Sequence, residues 1–394
     1  MTRLPAAFRL LQTASIVNNL GDGAYAAAVP LLAVALTPDP RLVSLVAAAG
    51  VLPSLLLSLP AGALVDRRDR VALMRWAQVA QAVVAGALAL TVVTGVAGVP
   101  LLVVAAFALG ACEVVAGSAA QAILPQIVPV AGLHRANGRL LTAASTARAF
   151  AGPPIGSLLF AVGAGLPMVL NAISFAASAV LLGRLPRRAA PHATAPLGRA
   201  VAEGLRWLAG HRFLRTLALL LAVNLFCFQL AAVTLVLLAT SELRMGVTAY
   251  GLLLTASAVG GIAGGLVSHR GGLLLALGGA VPAYLAAGFS TGPWTLGLCL
   301  AAISFFSSMW SVATVSLRQS VVPPELLGRV SSVYRMLSLG LAPLGAVAGG
   351  FVVHEWGVRA AYPIAGVLRG AALVVAVPVI LSGGRACRRG RGPG

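Results

Sequence analysis

Long apolar runs separated by short polar segments occupy almost the whole chain. A helix needs roughly 20 apolar residues, at about 1.5 Å each, to cross a hydrocarbon core about 30 Å thick. The pattern predicts twelve membrane-spanning helices, near residues 10–36, 43–64, 72–94, 99–122, 140–162, 166–185, 214–240, 249–267, 272–290, 294–318, 329–354 and 358–382. The limits of the ninth are the hardest to place, because its short run follows Gly271 and Gly272 and contains Pro282.

The composition fits a chain whose solvent is lipid. Hydrophobic residues make up 59% of it, charged residues only 9%, and the mean hydropathy is +0.96. A soluble fold of this composition would have too few polar side chains to cover its surface. The sequence contains no ATP-binding P-loop and no HExxH motif, and its four cysteines lack metal-ligand spacing. We therefore predict no enzyme activity, no metal site and no cofactor.

The placement of the 28 basic residues, all arginines, predicts the topology. With the N-terminus inside, 22 of them fall on inner segments, three on outer segments and three within spans. Both termini are therefore predicted to be cytoplasmic, in a multi-pass protein of the plasma (inner) membrane. The net charge of +19 does not indicate nucleic-acid binding. The arginines are spread over every inner loop without interleaved aromatics, as expected beside anionic lipid headgroups.

The chain contains an internal repeat. Three positions before span five recur 194 residues later before span eleven, where Pro323, Leu327 and Arg329 match Pro129, Leu133 and Arg135. Three positions after span two recur 202 residues later after span eight, where Gly264, Leu266 and Arg270 match Gly62, Leu64 and Arg68. We therefore predict two six-helix bundles, residues 1–185 and 214–394, joined by a cytoplasmic linker over 186–213, with a basic cytoplasmic tail at the end.

The densest charge lies in GALVDRRDR, residues 62–70, between spans two and three. This loop resembles the signature of the major facilitator superfamily, in which a glycine precedes an Asp-Arg pair and further basic residues follow. The segments IVPVAGLHRANG and VVPPELLGRV, together with NNLGDGAY and GPPIG, resemble its subgroup of macrolide and siderophore exporters. The resemblance covers nearly the whole chain. It implies an all-α membrane protein with twelve transmembrane helices in two pseudo-symmetric six-helix bundles.

The resemblance also implies a gate in this loop, which joins the halves on the cytoplasmic side when the cavity opens outward. The gate residues would be Gly62, Asp66, Arg67, Arg68 and Arg70. The residues themselves suggest why, since glycine permits close helix approach and a carboxylate near a helix N-terminus contributes about 0.3–1 kcal/mol. By the repeat symmetry that terminus is the start of span eleven. The alternative is a solvated turn that only fixes topology.

Charged residues inside predicted spans are candidates for proton coupling, because each costs roughly 2.5–3.5 kcal/mol to insert and is usually functional or paired. Asp22 in span one, Glu113 in span four and Arg148 in span five meet this description. A low-dielectric cavity favours the protonated form of a carboxylate, and a basic neighbour favours the ionised form. The alternatives are a helix-packing role for Asp22, tied to Asn18 or Asn19, and a structural ion pair between Glu113 and Arg148.

Polar residues share the helical faces of these carboxylates. Asn18 and Tyr25 lie on the Asp22 stripe at i, i+4, i+7 spacing, and Gln121 lies two turns after Glu113. In the resembled fold, spans one, four, seven and ten line the central cavity. The resemblance therefore implies that Asn18, Tyr25 and Gln121 contact substrate.

Spans seven and ten supply further candidates for binding a large amphipathic ligand. These candidates are Asn224, Phe228, Ser307, Trp310 and Ser311. Small hydroxyls recur every three or four residues along span ten, which is typical of a water-lined wall and equally of tight helix packing. An aromatic residue in a membrane bundle more often packs than binds, so packing is the alternative for Phe228 and Trp310.

Span five contains a predicted helix kink at Gly152, Pro153 and Gly156. Pro153 and Pro154 remove two backbone donors and bend the helix, while the glycines permit close contact with a neighbour. The segment resembles the GPxxG motif of drug antiporters, although Ser157 stands where a second glycine is usual. The alternative is a kink without meaning for the direction of transport.

Together these features predict a secondary transporter that exports a small amphipathic molecule of the drug, antibiotic or siderophore class. It would work by alternating access, with protons as the exchanged ion, as a monomer in the lipid bilayer. One alternative is metabolite uptake by proton symport. Another is a non-transporting membrane sensor or scaffold on the same fold, in which the intramembrane carboxylates would have no evident use.

Overall fold

The computed structural model describes residues 5–129, 132–186, 197–268, 273–322 and 324–389, and at some of these positions, including Asp66, Arg329 and Arg335, it describes the backbone alone. The described ranges are helical and contain no β-strand. A helix satisfies its backbone hydrogen bonds within its own segment, which is what a lipid environment requires.

The first four predicted spans form long helices: α1 (Ala6–Leu36), α2 (Pro40–Arg67), α3 (Arg70–Val93) and α4 (Val99–Ile127). Local chemistry sets their ends. Asp39 precedes α2, and its carboxylate accepts a hydrogen bond of 2.9 Å from the backbone N–H of Arg41. Gly95 follows α3 with φ of 73°, a left-handed conformation that glycine adopts at little cost.

Span five is built from three helical pieces: α5 (Leu133–Ser145), a π-helical turn (Thr146–Ala151) and α6 (Gly152–Val162). Pro153 and Pro154 lie in the first turn of α6 and have no N–H to donate to the carbonyls of residues 149 and 150. Those carbonyls belong to the π-helical turn, so the turn coincides with the predicted kink. The sixth span follows as α7 (Leu166–Leu182).

In this half α2 packs on α4, α1 packs on α6 and α7, and α3 packs on both α4 and α7. A cluster of buried apolar side chains joins the start of α1, the end of α2, the start of α3 and the end of α4. Phe8, Met74 and Ile123 are among its members. The charged loop between α2 and α3 therefore leaves a well-packed end of the bundle.

The second half begins with α8 (Leu197–Gly210), a helix within the predicted linker. It is followed by α9 (Arg212–Leu237) with a π-helical turn (Leu238–Glu242), and by α10 (Val247–Val267), α11 (Leu273–Gly278), α12 (Ala280–Gly288), α13 (Pro293–Val321), α14 (Pro324–Trp356) and α15 (Ala361–Arg389). The linker helix α8 packs on α14, and its Leu208 joins a buried cluster with Trp310 and Val330.

The predicted ninth span is broken at Gly279 into α11 and α12. Pro282 is the third residue of α12 and lacks the N–H that would bond to the carbonyl of residue 278. A Cβ at Gly279 would lie 2.3 Å from Cε1 of Phe306, so glycine also lets α13 approach the break. Of the sequence signals that made this span hard to delimit, Pro282 lies just after the break, whereas Gly271 and Gly272 lie outside the described residues.

Eight of the described helical segments are long and apolar enough to cross a membrane, judged by length and composition. The other predicted spans correspond to α5 with α6, α7, α11 with α12, and α14. Contacts divide the chain into two compact units, residues 1–194 with 236–255 and residues 195–235 with 256–394. The predicted limits of the two bundles stay a prediction.

Candidate functional site

The polar stripe of α1 places a carboxylate deep in the first unit. Asp22 lies next to the midpoint of the 31-residue helix, and its side chain is 12% exposed. The Asn18 side chain is buried and donates a hydrogen bond of 3.1 Å from Nδ2 to Oδ2 of Asp22. The Tyr25 hydroxyl is buried without a hydrogen-bond partner among the described residues. Asn19 instead bonds back to Ser15, so Asn18 is the asparagine tied to Asp22.

Arg148 reaches Asp22 from the π-helical turn of span five. Its Nη1 lies 3.8 Å from Oδ2 of Asp22, and its side chain is 51% exposed. The carboxylate is thus the sheltered member of the pair, and the guanidinium is half open. In the described part of the chain no ion pair joins Arg148 to Glu113, so the structure favours Asp22 over Glu113 as the partner of this arginine.

Glu113 is the middle residue of the 29-residue helix α4, and it interacts electrostatically with Asp22. Two carboxylates and one guanidinium therefore share one neighbourhood. With all three ionised the group carries one net negative charge, and binding of one proton brings it to zero. Gln121 lies further along α4 with an exposed side chain.

Backbone contact between α1 and span five positions this group. A Cβ at Gly23 would lie 2.3 Å from the carbonyl oxygen of Arg148, and one at Gly152 would lie 2.5 Å from Cα of Gly23. A Cβ at Gly156 would lie 2.2 Å from the carbonyl oxygen of Ala24. Real Cβ atoms do not approach this closely, so only glycine permits the crossing. Pro153, between the two span-five glycines, is buried in it.

The charged loop between α2 and α3 is organised by a residue that the sequence analysis did not single out. Asp69 precedes α3, and its carboxylate accepts hydrogen bonds from the backbone N–H groups of Val71 (2.8 Å) and Ala72 (3.2 Å). Arg70 donates from Nη1 to the carbonyl oxygen of Ala122 at the end of α4 (2.9 Å). An aspartate directly before an apolar helix is a recognised cap signal, so Asp69 was within reach of sequence reasoning.

The remaining gate candidates make fewer described contacts. Arg67 and Arg68 are exposed, and the side chain of Asp66 lies outside the described residues. At Gly62 an added Cβ would meet no described heavy atom within 4 Å. The described residues therefore show no close helix contact at Gly62, and its role in helix approach stays a prediction. The gating role of the loop stays a prediction.

Replacing Asp69 with alanine is expected to lower the free energy of unfolding by about 0.5–2 kcal/mol, because two backbone donors of α3 lose their acceptor. Thermal unfolding of the purified protein in detergent would measure this. Asp69→Asn is the matched control, since an asparagine oxygen caps about as well. Equal losses in the two variants would show that the carboxylate acts through its charge and not as a cap.

Among the second-unit candidates, the structure separates packing residues from accessible ones. Trp310 is only 2% exposed and packs in the cluster that contains Leu217 and Val330, which favours the packing alternative, and its assignment to substrate binding stays a prediction. Asn224 is buried at 8% exposure, whereas the Phe228 side chain is 39% exposed.

The hydroxyl side chains of span ten fall into two groups, one at a helix crossing and one away from it. Ser304 shares a hydrogen bond of 2.6 Å with Ser257 of α10, and a Cβ at Gly260 would lie 2.0 Å from the carbonyl oxygen of Ala301. That face is a tight helix crossing. Ser311 is exposed, and the Ser307 hydroxyl is buried without a described hydrogen-bond partner, so the substrate-binding role of these two stays a prediction.

The second unit also buries a charge. Arg369 is 4% exposed and lies beside the midpoint of the apolar segment Val358–Ser382. Its guanidinium carbon stands 5.0 Å from the ring centre of Tyr284, and Nη1 donates to the tyrosine hydroxyl at 3.4 Å. Nε and Nη2 have no hydrogen-bond partner among the described residues. A snorkelling role is excluded by this depth and burial.

Relatives of this chain are transporters. The multidrug efflux pump Tap of Mycobacterium tuberculosis is 30% identical over 403 aligned positions, which cover 95% of this chain and 91% of Tap. An uncharacterised MFS-type transporter, y4rN of Sinorhizobium fredii, is 28% identical, with 93% of each chain covered.

Solved structures share the fold at low identity. A mutant of the nucleoside transporter NupG aligns with a TM-score of 0.78 at 11% identity, covering 95% of this chain and 99% of that one. An inward-facing bacterial homologue of the iron transporter ferroportin aligns with a TM-score of 0.66 at 18% identity, covering 97% and 99%. These likenesses confirm the predicted all-α fold.

A family model described as a transmembrane secretion effector matches residues 4–386. The match runs through both predicted bundles and the linker. It agrees with the membrane-spanning helices of the structure and with the relatives described above. The chain therefore belongs to the transmembrane secretion effector family of the major facilitator superfamily.

Proposed function

We propose that this transporter exports small amphipathic organic molecules, of the drug, antibiotic or siderophore class, in exchange for protons. The observation that carries the proposal is the ion pair of Asp22 and Arg148 beside the midpoint of α1. Charged residues at this depth cost free energy to insert into the membrane, and they usually mark ion or substrate pathways. The 30% identity to a protein named as a multidrug efflux pump supports export as the direction.

The geometry suggests how a proton would be coupled to movement. Protonation of Asp22 removes the charge that holds Arg148 at 3.8 Å. Arg148 belongs to a π-helical turn, and the glycine crossing ties that turn to α1. Proton binding would therefore change the contact between span one and span five. Glu113 of α4 is a second carboxylate in this neighbourhood and is the other candidate for the proton.

We assign substrate contact to polar and aromatic side chains of both units. In the first unit these are Asn18, Tyr25 and Gln121, and in the second Asn224, Phe228, Ser307 and Ser311. Amide, hydroxyl and aromatic groups on an otherwise apolar surface suit an amphipathic ligand. We further propose that the protein resides in the plasma (inner) membrane as a monomer with both termini in the cytoplasm, as the arginine distribution predicts.

The proposal can be tested by transport against an imposed gradient. Expression in a drug-sensitive bacterial host, screened against amphipathic antibiotics, would identify a compound to which the protein confers resistance. That compound would then be followed in liposomes carrying the purified protein, with pH gradients imposed in either direction. An antiporter moves the compound opposite to the protons and a symporter moves it with them. Absence of movement under both gradients would favour the sensor or scaffold.

The gate proposal gives a separate prediction for the charged loop. Asp66→Asn is expected to leave membrane insertion unchanged and to slow transport, because the loop would lose the carboxylate that closes on span eleven. Initial rates in liposomes, normalised to the amount of inserted protein, would measure the effect. Ser268→Ala is the matched control, since Ser268 is the repeat counterpart of Asp66. Wild-type transport rates in Asp66→Asn would contradict the gate and show that the loop is a solvated turn that only fixes topology.

A further inference from the structure

A groove of about 820 Å³ runs along the surface of the first unit between α3 and α7. These two helices pack side by side, and the groove lies over their contact. Apolar side chains form most of its wall. Val83, Ile173 and Val180 are each at least 60% exposed, so the groove opens outward and is not part of the site around Asp22.

One end of the groove carries two arginines. Arg75 lies in the second turn of α3, and Arg184 lies two residues beyond the end of α7. The two side chains are exposed and come from the same end of the helix pair, since Cδ of Arg75 lies 3.7 Å from the position of a Cβ at Gly183. None of the described residues lining the groove is acidic. The groove is therefore apolar along its length and positive at one end.

The length of the groove matches one leaflet of a bilayer. From Arg75 to Val83 is eight residues of α3, or about 12 Å, and from Ile173 to the end of α7 at Leu182 is nine residues, or about 14 Å, with Arg184 just beyond. Half of a hydrocarbon core of about 30 Å is about 15 Å. Trp76 is 70% exposed and adjacent to Arg75. Tryptophan is enriched at the level of the lipid headgroups, so its position agrees with a headgroup at this end of the groove.

We propose that this groove is a binding site for an anionic phospholipid. The lipid phosphate would lie between the guanidinium groups of Arg75 and Arg184, and an acyl chain would follow the apolar wall towards the middle of the membrane. Guanidinium groups bind phosphate through paired hydrogen bonds, and basic pockets between membrane helices bind anionic headgroups. Under the proposed topology the lipid belongs to the cytoplasmic leaflet.

Charge complementarity distinguishes this occupant from other lipids. A zwitterionic headgroup brings its own cation, so its net attraction to two arginines is small. An anionic headgroup has no such cation, or an excess of negative charge, so the electrostatic attraction of each arginine is retained. The site is independent of what the protein transports, and it remains whether or not export by proton exchange is established.

Native mass spectrometry of the full chain with phosphatidylglycerol and phosphatidylcholine of identical acyl chains would test the site. We expect wild-type protein to retain phosphatidylglycerol preferentially. Each of Arg75→Gln and Arg184→Gln should weaken that preference about fivefold, and the double variant about thirty-fold. Ala176→Phe, which fills the exposed groove wall and leaves both arginines in place, should also reduce retention.

The matched control is the double variant Arg135→Gln with Arg139→Gln, two exposed arginines outside the groove. Unchanged lipid retention in this control supports the site. An equal loss of retention in the control would show that the effect comes from the overall charge of the protein, which contradicts a specific site. Undiminished retention after replacement of Arg75 and Arg184 would overturn the proposal. Glycerol phosphate, offered as the headgroup alone, should not protect the wild-type protein from thermal unfolding, and protection equal to that of the lipid would show that the groove wall has no part.

Discussion

Asp22→Asn is expected to abolish transport driven by a pH gradient and to spare exchange of substrate between the two sides of the membrane. Asparagine keeps an oxygen that can accept the hydrogen bond from Asn18, now 3.1 Å long, and it keeps the size of the side chain. It cannot ionise, so the ion pair with Arg148 is lost and no proton is bound or released at this position.

The size of the effect follows from the energy of the gradient. One pH unit is worth about 1.4 kcal/mol per proton, which sustains about a tenfold concentration ratio of the substrate at one proton per molecule. Wild-type liposomes should reach such a ratio, and Asp22→Asn liposomes should reach none. Accumulation of the compound found in the resistance screen, followed over time with and without the gradient, measures both quantities.

The matched control makes the same substitution in the Arg41–Asp39 ion pair, whose atoms are 3.0 Å apart. Its partners are more exposed than Asp22, and exposed pairs contribute little to stability. Asp39→Asn should retain gradient-driven accumulation. If Asp22→Asn also retains it, the proton is carried elsewhere, and Glu113→Gln becomes the deciding variant. Loss in Glu113→Gln alone would assign the proton to α4.

The sequence predicted the helices well because the membrane restricts the alternatives. Length and apolarity define a span with little reference to its neighbours, although the break at Gly279 within the ninth span was not predicted. The polar stripe of Asn18, Asp22 and Tyr25 was equally local, since it needs only the periodicity of one helix.

The partner of Arg148 could not be found in this way. Whether it meets Asp22 or Glu113 depends on which helix span five crosses, and that is set by backbone contact at Gly23 and Gly152. Similarly, the burial of Trp310 depends on which helices pack against span ten, so it could not be read from spacing along that span. Pairings between helices are the part of the site that sequence periodicity leaves open.

Gly156→Ala is expected to destabilise the first unit and to uncouple transport, because the new Cβ would lie 2.2 Å from the carbonyl oxygen of Ala24. The overlap is with backbone atoms, so α1 and α6 must separate. Overpacking of this kind costs typically about 1–3 kcal/mol. Separation would also lengthen the distance from Arg148 to Asp22, so gradient-driven accumulation should fall even in protein that remains folded.

Gly117→Ala is the matched control, since Gly117 lies within α4 and a Cβ there would meet no described heavy atom within 4 Å. Alanine is favoured over glycine inside a helix by roughly 0.5–1 kcal/mol, so this variant should unfold at a slightly higher temperature than wild type while Gly156→Ala unfolds at a lower one. Thermal unfolding in detergent gives the comparison.

A second-site variant separates backbone contact from side-chain contact. A Cβ at Gly21 would lie 2.0 Å from Oγ of Ser174, which is a side-chain atom. Oδ1 of Asn171, a second side-chain atom, would lie 2.7 Å from the same position. Ser174→Gly should therefore relieve Gly21→Ala in part, whereas Gly156→Ala should gain nothing from Ala24→Gly because the obstructing oxygen belongs to the backbone. Rescue of Gly156→Ala by that change, or wild-type stability of Gly156→Ala itself, would contradict the crossing that places Arg148 beside Asp22.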